Sequence, residues 1–267
     1  MAVAAVIPAS ASAAITSQTL KAVATPSKVS QKGRFPLFPA PVSLRVDTDT
    51  TYDTPLTLGS RPSPAATNVN IDFDNDFKFT TKGIATCNPI LLTGTTTAQA
   101  IAVCGASQVG AGSATLGGIA GPASAVVTAF NGTPVNGQPQ ILLHSRIGAP
   151  LNTTAILSGV LTSSPVGGDY GRRLVVTVPP VAGGNEVITH FDTTVNRRFK
   201  VKKTVRINGV RKTIKVKSGY VTAICRDKNK TWNFRGVFNY QTFNGPPASS
   251  SLTASTTQKC QPVKPKS

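Results

Sequence analysis

The sequence predicts an all-β protein: an antiparallel β-sandwich, Ig-like or jelly-roll-like, with one short helix and two disulfides. Three observations predict it. Apolar runs of four to nine residues recur between turn signals from about Val42 onward, the rhythm of short strands in a sandwich. The composition favours strands and turns, with 23 Gly, 20 Pro and abundant Thr, Ser and Val against one Met and the lone glutamate Glu186. Four cysteines, Cys87, Cys104, Cys225 and Cys260, contain no CxxC and have no nearby His, so two disulfides fit an oxidising compartment better than a zinc site does.

With 267 residues and 40% hydrophobic content the chain can bury a core. Its opening, MAVAAVIPASASAAITS, sets a short apolar stretch before Ala11, Ser12 and Ala13, the small-residue form of a cleavage site. Residues 1–13 are therefore expected to be the remnant of an export signal whose start lies upstream of Met1, with an Ala-rich tail as the alternative. Residues 14–40 carry Pro, Ser and Lys without a sustained apolar period and read as a flexible lead-in. A single sandwich domain over residues 41–261 and a basic tail over 262–267 follow. No later run of 18 apolar residues predicts a transmembrane segment. The expectation is a monomer, secreted or held at the extracellular cell surface.

Strands are expected in VSLRV, NVNIDFDNDFKF, SAVVTAF, QILLHSRI, AILSGVL, RRLVVTV, EVITHFDTTV, YVTAIC, TWNFRGVFNY and SLTAST. Asn-Gly pairs at Asn131, Asn136, Asn208 and Asn244 predict turns that need positive φ. In TTTAQAIAVC, Thr96 and Gln99 form a capping box that starts a helix over Ala98–Cys104, read as a plug for one end of the sandwich. Four cysteines allow three pairings. Cys87 with Cys104 and Cys225 with Cys260 are preferred because each pair closes a short loop within one segment.

The run TKGIATCNPILLTGTTTAQAIAVCGASQVGAGSAT, with ILLHSRIGAPLNTT, DYGRRLVVTVPP and TWNFRGVFNY, resembles a family of uncharacterised exported proteins from actinobacteria. The resemblance spans roughly Val42 to Cys260. It implies a signal peptide, a β-sandwich and two disulfides, and it implies no activity. This sequence departs from that pattern in a longer and more basic hairpin around Asn208.

That hairpin, RRFKVKKTVRINGVRKTIKVK, carries much of an imbalance of 28 Lys and Arg against 10 acidic residues, a formal charge of +18. With Asn208-Gly209 as a two-residue turn, opposed residues sum to 417. Arg206 then faces Arg211, Lys202 faces Lys215 and Lys200 faces Lys217, with Arg198 extending the row on the same face. The other face offers Phe199, Val201, Val205, Ile207, Val210, Ile214 and Val216 for burial, interrupted only by Lys203 and Lys212. Such a plate predicts binding of an anionic cell-wall polymer or an anionic lipid surface, with extracellular nucleic acid as a further candidate. The competing readings are a lysine-rich edge that blocks aggregation, in a structural envelope module without a specific ligand, and a metal-dependent hydrolase.

The hydrolase would use His190, Asp192 and Glu186, which strict alternation in EVITHFDTTV places on one face. His144 and Ser145 point to opposite faces and cannot act as base and nucleophile together. Asp72, Asp74 and Asp76 alternate like the start of a calcium loop, but no Gly and further carboxylate follow, so they read as water-facing residues of a strand that turns near Asn75. The glycines Gly110, Gly112, Gly117 and Gly118 read as strand bends rather than a phosphate loop. Trp232 and Phe234 read as core. No cofactor, metal ligand or catalytic residue is assigned, and the protein is expected not to be an enzyme.

Overall fold

In the computed structural model, which describes residues 13–30, 39–61, 64–207, 209–226, 230–243 and 249–263, the alternating runs become strands. In chain order these are β1 (Ile15–Thr25), β2 (Lys28–Ser30), β3 (Ala40–Pro41), β4 (Ser43–Tyr52), β5 (Ala65–Asp74), β6 (Phe77–Phe79), β7 (Gln108–Gly118), β8 (Ala123–Val135) and β9 (Gln138–Ile147). There follow β10 (Thr154–Ser163), β11 (Tyr170–Thr177), β12 (Glu186–Val195), β13 (Arg198–Ile207), β14 (Val210–Gly219), β15 (Val221–Ala223), β16 (Thr231–Gln241), β17 (Ser249–Lys259) and β18 (Gln261–Val263). Between β6 and β7 lies the one α-helix among the described residues, α1 (Thr97–Cys104).

Eleven strands form one antiparallel sheet in the order β1-β4-β12-β7-β8-β9-β10-β11-β5-β16-β17. This sheet curls until its end strands, β1 and β17, lie side by side. The facing layers of the sandwich are thus halves of a single sheet. Leu44, Val46, Ile71, Phe73, Leu143 and Leu161 turn inward and are buried. Where β1 meets β17 a side chain replaces the ladder: Gln258 accepts from the Ala24 amide at 2.7 Å and donates to the Ala24 carbonyl at 2.9 Å. Immediately beyond, β2 and β18 pair in parallel. A small sheet, β3-β15-β6, and the separate β13–β14 hairpin complete the fold.

Both disulfides pair as expected, Cys87 with Cys104 and Cys225 with Cys260. The capping box of α1 is present: the Thr96 hydroxyl accepts from the Gln99 amide while Gln99 Oε1 accepts from the Thr96 amide. The helix does not plug an end of the sandwich. It covers the outer face of β8 and β9, where Leu92, Ala100, Phe130, Leu142 and the Cys87–Cys104 bridge make a second, smaller core. A helix this short is not stable alone, and the bridge fixes it to the sheet.

Several expectations are corrected. Residues 15–25 are not a flexible lead-in but the strand β1, with Leu20, Ala22 and Ala24 buried; neighbours in the sheet supply the order that this polar segment cannot supply itself. At the other end, Pro262 and Val263 belong to β18 rather than to a tail. The export-signal residues 1–12 and tail residues 264–267 lie outside the described residues. Asn136-Gly137 is a positive-φ turn as expected, whereas Asn131-Gly132 runs inside β8 beside Cys87, whose amide donates to the Asn131 carbonyl. Asn208 and Asn244 are outside the described residues. The glycines of β7 do not bend it: a Cβ at Gly110 or Gly112 would strike the main chain of β12, so they permit close approach of two strands.

Candidate anion-binding site

The hairpin register is the one the sequence predicts. Lys200 faces Lys217, Lys202 faces Lys215, Thr204 faces Thr213 and Arg206 faces Arg211, while Arg198 lies opposite Gly219. The basic side chains at 198, 200, 202, 206, 211, 215 and 217 are all exposed. None of them forms an ion pair among the described residues. Thr204 and Thr213 sit 3.4 Å apart between the charged pairs and share a hydroxyl contact. Directly opposed like charges are destabilising, and this face carries three such pairs, two of them adjacent and the third beyond the Thr204–Thr213 pair.

The other face is less covered than the sequence suggests. Phe199, Val201, Val205, Ile214 and Val216 are half-buried, and Val210 is 58% exposed. The hairpin meets the body at its base, where β14 lies beside β3 and β15. It is an arm with a basic side and a partly exposed apolar side.

The acidic residues are distributed quite differently. Asp72, Asp74 and Asp76 do not face water: all three are buried, Asp72 completely at 0% exposure. Asp72 stands between arginines on both neighbouring strands, with Arg173 donating from Nε and from its terminal nitrogen at 2.8 Å each and Arg235 at 3.5 Å. Asp74 accepts from the amides of Asp76 and Asn233, and burial pushes its pKa up to about 6. Asp76 pairs with Arg226 at 2.7 Å. Arginine side chains and main-chain amides, rather than water alone, meet these carboxylates. The expected turn at Asn75 is present between β5 and β6.

The trio His190, Asp192 and Glu186 is not assembled. An irregularity between Ile188 and His190 breaks the alternation of β12, so Ile188 shares the inner face with Phe191 while His190 and Asp192 point outward. Glu186 is buried apart from them; it accepts from the Ala120 amide at 2.6 Å, and burial raises its pKa. Outside, His190 meets instead Asp49 at 2.7 Å and Asp47 at 3.9 Å from β4. Their ligand atoms lie within 4.8 Å of one another. Arg45 already bridges Asp47 and Asp192 on the same surface and supplies a cation. Arg45, Asp47 and Asp49 were visible as one face of SLRVDTDTT, but only sheet order brings them to His190.

His144 is buried under the α1 segment, with Nε2 3.1 Å from the Thr95 carbonyl, and burial lowers its pKa. Ser145 lies on the opposite face of β9, as alternation requires. Trp232 and Phe234 are core: the indole donates to the Ile224 carbonyl at 2.8 Å, and both rings pack on Phe77. Comparison with known proteins finds no matching family model, no matching curated protein and no matching solved structure.

Proposed function

We propose that this protein is an exported, non-enzymatic binding protein that attaches to anionic cell-envelope or extracellular polymers through the β13–β14 arm. The observation that carries this reading is the row of three like-charged cross-strand pairs, exposed and without acidic partners among the described residues. A polyanion laid along that row relieves the repulsion and releases its own counterions, so electrostatics dominates affinity and added salt weakens it. The two disulfides support an oxidising, extracellular location. Edge protection explains the lysines less well, because the arm is not a strand of the eleven-stranded sheet, whose own ends lie against each other.

A second reading, attachment to an anionic lipid surface, is favoured by one observation: the half-exposed apolar side of the arm, Val210 above all, offers contact with acyl chains beside the charge. Nucleic acid fits less well, since the only aromatic ring of the arm, Phe199, lies on the apolar side and no platform for stacking bases accompanies the charges.

The test is binding to an anionic cell-wall polymer and to anionic liposomes across a salt series. Wild type is compared with a variant carrying Lys200→Gln, Lys202→Gln, Lys215→Gln and Lys217→Gln. Affinity and salt slope are both expected to fall in the variant. Unchanged retention would return the charge to a solubility role. Val210→Ser separates the targets, weakening liposome binding while leaving polymer binding intact.

A further inference from the structure

Inside the curled sheet lies a cavity of about 110 Å³. Its walls are almost wholly aliphatic and aromatic, drawn from Val46, Ile71, Phe73, Leu143, Leu157 and Leu161 among others. Apolar cavities of about 150 Å³ stay dry and take up benzene, so this one is of a size to hold a small ring. Among the few polar side chains in the lining, two stand out. Tyr220 is 1% exposed and Thr193 is 8% exposed; both line the cavity, and neither hydroxyl has a hydrogen-bond partner among the described residues.

Elsewhere around the same cavity Gln18 and Thr50 are paired. The Thr50 hydroxyl donates to Gln18 Oε1 at 2.6 Å, and the Tyr240 hydroxyl donates to the same oxygen. Buried polar atoms are nearly always hydrogen-bonded, and leaving one unpaired costs about 1–3 kcal/mol. Two orphaned hydroxyls beside one apolar void therefore mark where a partner belongs. Tyr220 precedes β15, and its amide donates to the Arg197 carbonyl at the root of the arm. With Phe79 it closes the cavity on that side. Burial raises the Tyr220 pKa, so the phenol keeps its proton and remains a donor.

We propose that the interior is a binding site for a small apolar molecule, the size of a single aromatic ring, carrying one polar group that hydrogen-bonds to Tyr220 and Thr193. The apolar body fills the void between the two halves of the sheet. The polar group takes up the two hydroxyls. Neither residue belongs to the basic row, so the site stands whether or not the arm binds polyanions.

The test uses the full chain with phenol and benzene as probes, and the affinities are read from the methyl shifts of Leu143, Leu157 and Leu161. Both probes are expected to move those methyls. In a variant carrying Tyr220→Phe and Thr193→Val, which keeps the shape of both side chains, benzene affinity is expected to stay. Its phenol-to-benzene affinity ratio is expected to fall about five- to tenfold, the usual effect of one buried hydrogen bond. Because the removed hydroxyls have no hydrogen-bond partner among the described residues, the variant should melt no lower than wild type. Failure of both probes to shift the methyls at millimolar concentration overturns the proposal. So does an unchanged affinity ratio, which would assign the hydroxyls to ordered water.

Discussion

Strand β5 and the β13–β14 arm handle charge in opposite ways. On β5 and in the turn that follows it, each buried carboxylate meets a partner: Asp72 sits between Arg173 and Arg235 on the two flanking strands, Asp76 meets Arg226, and Asp74 takes two main-chain amides. On the arm, like faces like at three pairs with no counter-charge among the described residues. Burial explains the first pattern, because an unpaired charge out of water is costly. Exposure permits the second, since water screens what the sheet does not neutralise. A fold under no other demand would mix signs on an open ribbon; the arm's uniform sign is thus a property of its surface chemistry and not of its stability.

Three variants would break or sharpen this contrast. The largest effect is expected at Arg173→Met, which strips the bidentate partner from the fully buried Asp72 and should lower unfolding stability by about 3–5 kcal/mol in urea denaturation. A loss below about 1 kcal/mol would mean that Arg235 suffices and that compensation on β5 is redundant.

Next comes Asp74→Asn. The folded-state pKa of Asp74 is raised to about 6, above its ordinary 3.8. The folded state therefore binds a proton more readily than the unfolded chain, and this group's contribution to stability is full below about 4 and is lost as pH rises through about 6. The neutral amide should be more stable than wild type at pH 7.5, on the order of 2 kcal/mol from the size of the shift, and the gap should close by pH 4. Parallel stability curves across that range would show that the amides of Asp76 and Asn233 hold the carboxylate charged.

Smallest is the four-lysine variant of the arm. Removing two like-charged pairs should raise stability at low salt by about 0.2–1 kcal/mol per pair, with the difference vanishing at high salt, while binding to anionic matrices falls. A loss of stability instead would mean that the lysine stems cover apolar surface and that the row is structural.

Much of this was legible in the sequence. The arm's register followed from a two-residue turn and period-two alternation, both local signals. The capping box of α1 and the core roles of Trp232 and Phe234 were equally local. What escaped reading depended on neighbours distant in the chain. Strand β1, ITSQTLKAVAT, turns only small or polar residues toward the interior in half its length, so its alternation is faint until β4 pairs with it. The glycines of β7 looked like bends because the reason for them, the main chain of β12, lies some 80 residues later. Asp72, Asp74 and Asp76 alternate as an exposed face would, and on the side of β5 away from the interior they are covered by Arg173 and Arg235 of the flanking strands, by Arg226 and by main-chain amides. The irregularity in β12 that parts Glu186 from His190 left no mark in its residue types.

Parity has the last effect on this architecture. Neighbours in the eleven-stranded sheet all run antiparallel, and a ring of alternating directions cannot close on an odd number: the first and last members must point the same way. That is the situation of β1 and β17, whose continuations β2 and β18 pair in parallel. Along the joint itself the closing contact near Ala24 is an amide side chain, Gln258, standing in for main-chain rungs. The wall is thus a cylinder with one zip, fastened at the end by a three-residue parallel clasp. Any breathing of the body that admits a guest to its interior would begin along that line.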